Sequence, residues 1–234
     1  MAYVEDRIIH DADAHTMEPP EWLDEFGSRK VQEYARTKFF ANEESPIFSE
    51  IDHCRTLHLD ADFRASAGQE IMLRKNYRAH GAWDSVDRSE ALDHMGFASQ
   101  LVFPTMPNTL LEVMEHEAPP SLTYEVASAA NRAQIAFCGA DQRLLPVAYI
   151  PLQDLDLAIP CAGEAIEAGA AALLIPNRMP KDHAHSHIAF DGIWARAQEA
   201  GIPIVMHVAT PCLLYTSDAA DEGLGVDLGG RRII

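Results

Sequence analysis

Five short apolar runs, with helix-like stretches between the later ones, restrict the possible folds of this chain more than any other feature. The runs occupy residues 7–10, 100–103, 145–150, 171–175 and 203–207. They are apolar throughout rather than alternating, as expected of parallel strands that are covered on both faces. Helical patterns at 122–140, 155–168 and 192–200 separate the later runs, with Gly169 and Gly201 at two predicted helix ends. We therefore predict an α/β fold built from parallel βα units.

Composition and charge exclude several classes of protein. The net charge of −18 argues against a nucleic-acid or anionic-membrane surface, which would need clustered Lys and Arg. No apolar run approaches the length of a membrane span, and residues 1–7 do not resemble a signal peptide. The four cysteines, Cys54, Cys138, Cys161 and Cys212, have no C-x-x-C spacing and favour reduced thiols. We expect a cytoplasmic protein without nucleic-acid or membrane partners.

The sequence Asp11-Ala-Asp13-Ala-His15 directly follows the first predicted strand. Residues two apart on a strand point the same way, so Asp11, Asp13 and His15 are predicted to share one face. Asp13 and His15 are both metal-ligand types, and this spacing lets both reach one ion. Asp-rich strand ends also form turns and caps, which is the alternative interpretation.

His207 ends the fifth predicted strand. Such a histidine is commonly a core or edge residue. In a parallel barrel, however, all strand carboxyl ends meet at one face, where active sites lie. Asp13, His15 and His207 would then converge there although they are far apart in sequence.

The order of the motifs resembles an amidohydrolase-related family. That family includes aminocarboxymuconate-semialdehyde decarboxylase and the resorcylate and carboxyvanillate decarboxylases. The first-strand motif resembles the family's D-x-H-x-H, with Asp13 in place of the first His, and Glu18-Pro-Pro-Glu-Trp22 is similar to its E-P-P-x-x-W. Further similarities lie at Trp83-Asp84, Arg88, 92–96, 100–105, Asn131, 143–146, 150–154, 169–176, 190–194 and 203–207. The resemblance covers residues 8–211.

The resemblance implies a TIM-type (β/α) barrel of the metal-dependent hydrolase superfamily, truncated here after about the fifth strand. Residues 18–84 would be an insertion folded over the barrel mouth. Asp13, His15 and His207 would be metal ligands. The family's strand-six catalytic His and strand-eight Asp would lie beyond Pro211. Zinc is the expected divalent metal, with manganese or magnesium as alternatives because a carboxylate is a hard ligand.

The resemblance also implies a function. We expect non-oxidative decarboxylation of an aromatic or unsaturated carboxylic acid, a small-molecule carboxylate, in the full-length parent. Arg178 directly follows the fourth predicted strand, and it either clamps the substrate carboxylate or pairs with a nearby Asp. Hydrolysis of an amide, ester or lactone by the same ligands is the alternative. A third interpretation is an inactive fragment that binds metal weakly. The parent could form a homo-oligomer.

The segment 212–234 resembles a translated transposase-type sequencing adapter rather than natural protein. We therefore expect the natural sequence, and the incomplete barrel, to cover residues 1–211 and the rest to be a non-native tail. Two weaker features remain open. The histidines of His183-Ala-His185-Ser-His187 are expected to lie in a solvated loop, and Glu18 either supports the metal site or caps the turn before Pro19.

Overall fold

The computed structural model describes residues 2–39, 46–177 and 184–207. Its centre is one five-stranded sheet in which every neighbouring pair is parallel and the strand order follows the chain. The strands are β1 (His10–His15), β2 (Ser99–Phe103), β3 (Leu144–Tyr149), β4 (Ala172–Ile175) and β5 (Ile204–Met206). Together with its helices the sheet forms half of a TIM-type barrel, which confirms the predicted fold.

Helices connect the strands and cover the outside of the sheet. They are α1 (Arg29–Phe39), α2 (Pro46–Leu59), α3 (Ala61–Ala65), α4 (Ser85–Met95), α5 (Met106–Glu117), α6 (Pro120–Cys138), α7 (Leu155–Ala168) and α8 (Asp191–Ala200), with 3-10 turns at Asn76–Arg78 and Ile188–Phe190. The predicted helix at 155–168 agrees with α7 at both ends. Asp154 accepts a hydrogen bond from Leu157 N at its start, and Gly169 ends it in the left-handed conformation.

Three features differ from the sequence prediction. β1 begins at His10, so the motif itself forms the strand and residues 7–9 precede it. Helices α4 and α5 were not predicted, although Asp84 caps α4 by accepting from the backbone N–H of Val86 and Asp87. Pro107 lies in the first turn of α5, where a missing N–H is tolerated.

The insertion at 18–84 is largely helical. It contains α1, α2 and α3, and its buried residues belong to two separate cores. Val31 and Ala35 of α1 join the main apolar core, whereas Ile51, Cys54 and Tyr77 form a small core of their own. The Tyr77 hydroxyl donates to the carbonyl of Glu18, which ties this small core to the segment after β1.

The main core lies between the sheet and helices α5 to α8. All four residues of β4 and five of the six in β3 are buried, as expected for central parallel strands. β5 lies at the sheet edge, and its Met206 is 54% exposed. In the described part of the chain, Cys54, Cys138 and Cys161 are buried free thiols, and none of the helices has both the length and the hydropathy of a membrane-spanning segment.

Candidate metal centre

An irregularity in β1 determines which of its polar side chains reach the site. The register pairs Asp11 with Gln100 and Ala14 with Val102, so β1 carries one extra residue between these pairs. The Asp11 carboxylate accepts hydrogen bonds from the Gln100 side chain at 3.0 Å and from the backbone N–H of Asp13. The prediction that Asp11 shares a face with Asp13 and His15 is therefore wrong, because the bulge interrupts the strict alternation.

Asp13, His15 and His207 meet at the carboxyl ends of β1 and β5. The Nε2 atoms of the two histidines are 3.2 Å apart, and Asp13 Oδ1 lies 3.2 Å from His15 Nε2 and 3.0 Å from His207 Nε2. Residues 192 positions apart in sequence thus place three ligand-type atoms in one small triangle.

The triangle fits a divalent cation. Ligands about 2.1 Å from a tetrahedral zinc ion are roughly 3.4 Å from one another, close to the observed separations. One carboxylate and two imidazoles also suit zinc, manganese and related ions chemically. In the tautomer of His15 with its proton on Nδ1, the Nε2 lone pair faces the oxygen lone pairs of Asp13. These lone pairs repel each other, and a cation bound between them removes that repulsion.

His15 is held from two sides by groups that are not ligands. Its Nδ1 lies 3.1 Å from the Thr105 hydroxyl, directly after β2. The buried guanidinium of Arg88 donates to the His15 carbonyl at 2.8 Å. Partners of this kind orient metal-binding imidazoles. Sequence reasoning did not assign these roles to Thr105 and Arg88, although Thr105 follows a strand end on the same barrel face.

The triangle is open on one side and closed by an aromatic ring on another. The Asp13 side chain is 67% exposed, while those of His15 and His207 are 29% and 23% exposed. The Phe103 ring centroid lies 5.7 Å from that of His15 and 5.0 Å from that of His207. A small molecule can therefore approach from the Asp13 side.

Burial lowers the pKa of His15, and neighbouring His207 lowers it further, while Asp13 acts in the opposite direction. The net shift favours the neutral imidazole. Neutral His is the form that binds metal, so the electrostatics agree with the geometry.

A family model described as Amidohydrolase matches residues 11–226. The chain belongs to the amidohydrolase family. The match confirms the family that the sequence motifs indicate, and it runs past Pro211 into the segment 212–234.

The fold is also similar to a solved amidohydrolase. The crystal structure of an amidohydrolase from Mycobacterium avium subsp. paratuberculosis K-10 matches with a TM-score of 0.64 and 17% sequence identity. The match covers 96% of this chain and 65% of the other, so the chain spans just under two thirds of that protein. At this identity the likeness establishes the fold alone. No curated protein matches the chain.

Glu18 lies in the interior of this amidohydrolase, three residues after His15. Its side chain is buried and accepts hydrogen bonds from the Thr16 hydroxyl and from the backbone N–H groups of Thr105 and Met106. Burial raises the pKa of Glu18 to about 7, although these hydrogen bonds oppose the shift. The sequence left two roles open for Glu18, support of the metal site or a cap for the turn before Pro19. Its contacts with Thr105 and Met106 favour support of the site, because Thr105 also contacts His15.

The other predicted site residues are only partly described. Arg178 and His183 lie outside the described residues, so the predicted substrate clamp stays a prediction. His185 contacts the carbonyl of Pro176 at 2.8 Å, and the His187 ring accepts from the backbone N–H of Ala189. Both histidines contact backbone groups in the described parts of the segment that follows β4.

A second group of ligand-type side chains, His58, His80 and Asp87, lies between the insertion and α4. Arg64 binds both carboxylate oxygens of Asp87, at 2.6 and 2.7 Å, and holds the pKa of that carboxyl below its ordinary value. His58 contacts the Tyr77 carbonyl, and His80 contacts Glu90. The Arg64–Asp87 ion pair therefore explains why these side chains lie together, and no metal is needed to account for the cluster.

Proposed function

We propose that Asp13, His15 and His207 hold a divalent metal ion in a catalytic site. The observation that carries this proposal is the triangle of three ligand atoms, with sides of 3.0 to 3.2 Å, at the carboxyl edge of a parallel sheet. Membership of the amidohydrolase family supports it. Zinc is the proposed ion, and manganese or magnesium is the alternative because Asp13 contributes a hard oxygen ligand.

The proposed reaction of the full-length parent is non-oxidative decarboxylation of an aromatic or unsaturated carboxylic acid. A bound divalent ion supplies positive charge that polarises carboxylate and carbonyl oxygens. Asp13 and the two histidines fix the position of that charge, and the Phe103 ring shields one side from water. Arg178, three residues after β4, is the proposed clamp for the substrate carboxylate.

Hydrolysis of an amide, ester or lactone is the second candidate. The description of the matching family and the name of the similar solved protein both favour hydrolysis. The same three ligands would serve, because polarising a carbonyl for attack by water needs the same fixed positive charge.

A substrate panel separates the two reactions. The full-length parent is incubated with carboxylated phenols, unsaturated carboxylic acids, esters, amides and lactones. Carbon dioxide release without consumption of water is the expected result. Cleavage of esters or lactones with every carboxylate left intact would replace decarboxylation by hydrolysis.

The same panel tests the 234-residue chain itself. We propose that it binds metal weakly and turns over none of these substrates, because the family's strand-six His and strand-eight Asp would follow the fifth strand. Turnover by this chain at the rate of the parent would contradict that proposal.

Metal binding by the chain is tested separately by titration with zinc or manganese. Asp13→Ala removes one of three ligands and should abolish measurable binding. Asp62→Ala is the matched control, since Asp62 is an exposed carboxylate on α3 and is not part of the triangle. Equal affinities in the two variants would eliminate the proposed site.

A further inference from the structure

Thr105 occupies the cap position of α5 but does not cap that helix with its side chain. Threonine at a helix start normally accepts a hydrogen bond from a backbone N–H two or three residues later. Here the Thr105 hydroxyl instead lies 3.1 Å from His15 Nδ1. Because the Thr105 side chain makes no cap hydrogen bond, the first N–H groups of α5 need another acceptor.

Glu18 is that acceptor. Its carboxylate lies 3.1 Å from the backbone nitrogen of Thr105 and 2.9 Å from that of Met106. The Thr16 hydroxyl is also bonded to it, and the side chain is 2% exposed. A residue from the segment after β1 thus caps a helix that begins after β2.

We propose that Glu18 is a positioning residue for the metal ligand His15, acting through Thr105. The inference rests on the proposed metal site. By capping α5, Glu18 leaves the Thr105 hydroxyl free to hydrogen-bond with His15 Nδ1. That hydrogen bond fixes the orientation of the imidazole ring, so that Nε2 is the atom that faces Asp13 and His207.

Removal of the Glu18 carboxylate has a specific consequence in this scheme. The N–H groups at the start of α5 would lose their acceptor, and the Thr105 hydroxyl would turn to cap its own helix. His15 would then lose its Nδ1 partner, and its ring would no longer be held with Nε2 toward Asp13 and His207. The metal site would be damaged without any change in its three ligands.

A buried carboxylate that only stabilises the fold should not affect His15. Glu115 is such a carboxylate. It is also on α5, is also buried, and accepts from the Tyr149 hydroxyl at 2.7 Å and from Leu152 N at 3.1 Å. None of these contacts involves Thr105 or His15. Glu115→Gln is therefore the matched control for Glu18 variants.

Two readouts on the whole 234-residue chain test the proposal. Nitrogen-15 NMR of the metal-free protein reports the hydrogen bonding of His15 Nδ1, and titration with cobalt(II) reports the affinity of the site. The variants are Glu18→Ala, Glu18→Gln, Thr105→Val and Thr105→Ser, with Glu115→Gln as the control.

In the metal-free wild-type chain the nitrogen-15 shift of His15 Nδ1 should be that of a nitrogen held in a hydrogen bond. Glu18→Ala and Thr105→Val should both move that shift toward the value of a solvent-exposed imidazole and bind cobalt about ten- to hundredfold more weakly, the usual cost of losing such a partner. Thr105→Ser and Glu115→Gln should retain both properties. Glu18→Gln keeps one acceptor oxygen, should give intermediate values, and replaces Glu18→Ala if that variant does not fold.

The proposal is overturned if Glu18→Ala, or Glu18→Gln in its place, matches Glu115→Gln in both readouts. Its failure can be distinguished from failure of the proposed function. A wild-type chain that binds no cobalt removes the metal site, whereas the Nδ1 shift of His15 in the metal-free variants still decides whether Glu18 acts on that residue.

Discussion

Single side chains complete the backbone hydrogen bonding of the sheet at several points, and Asn131 is the clearest case. This buried residue of α6 donates to the Tyr149 carbonyl at 2.9 Å and accepts from the Tyr149 N–H at 2.8 Å. Asn131→Ala would leave two buried backbone groups without these partners, at a cost of about 2–5 kcal/mol. Urea unfolding measures the loss. Arg132→Ala, at the exposed neighbour, should cost far less, and equal losses would contradict this role.

Glu115 should make stability depend on pH. Burial raises the pKa of this carboxyl to about 7 from an ordinary value near 4.5. The folded state therefore binds the proton more tightly than the unfolded state, so the contribution of Glu115 is complete below about pH 4.5 and is lost as the pH rises through 7. Glu115→Gln removes the titration but keeps the shape.

The measurement is the free energy of unfolding of wild type and Glu115→Gln at pH 5 and pH 8. Relative to wild type, the variant should gain roughly 2 kcal/mol on going from pH 5 to pH 8. A difference between the two proteins that is the same at both pH values would show that Glu115 does not titrate in this range.

The three proposed ligands could be predicted from sequence, but the residues that hold them could not. Asp13, His15 and His207 follow from one rule, that polar residues at strand carboxyl ends meet on one face. The contacts of Glu18 with Thr105 depend on the exact register of β1 against β2 and on the bulge after Asp11. Spacing along the chain contains no information about that register.

At the scale of whole elements, helices α4 and α8 both end on left-handed glycines, but the surroundings of the two glycines differ. Gly96 after α4 has φ 72°, and an added Cβ would lie 2.3 Å from the Val4 carbonyl oxygen. Gly201 after α8 has φ 68° and nothing within 4 Å of that position. Gly201→Ala should cost about 1 kcal/mol from backbone strain alone.

Gly96→Ala should cost clearly more, at least about 3 kcal/mol, because the clash with backbone adds to the same strain. Chemical denaturation of the two variants gives both numbers. Equal costs would mean that residues 2–4 can move away from α4 without a loss of stability.

The sequence predicts a helix or strand correctly where cap residues and the apolar pattern agree. It fails where residues of the candidate site replace that pattern. Helix α7 was placed correctly because Asp154 and Gly169 mark its two ends. β1 was placed too early because the site replaces its apolar residues with Asp11, Asp13 and His15. Helix α5 has its cap supplied from a distant segment, by Glu18, so its start has no local acceptor to indicate it.

For the molecule as a whole, the candidate centre joins the two edges of the sheet. β1 and β5 are the first and last strands in the sheet order, yet His15 and His207 approach within 3.2 Å. A metal bound by Asp13, His15 and His207 would therefore connect the ends of the half-barrel. It would stabilise the folded state over the unfolded state by mass action.

Adding zinc at about a hundred times its dissociation constant should stabilise the chain by roughly 2.7 kcal/mol. For a chain of this size that corresponds to a rise in Tm of about 5–10 °C. His207→Ala removes the only proposed ligand on the β5 side, so its Tm should not respond to zinc. His116→Ala, on the exposed side of α5, should respond like wild type. A full zinc response in His207→Ala would show that the metal does not bridge the two edges.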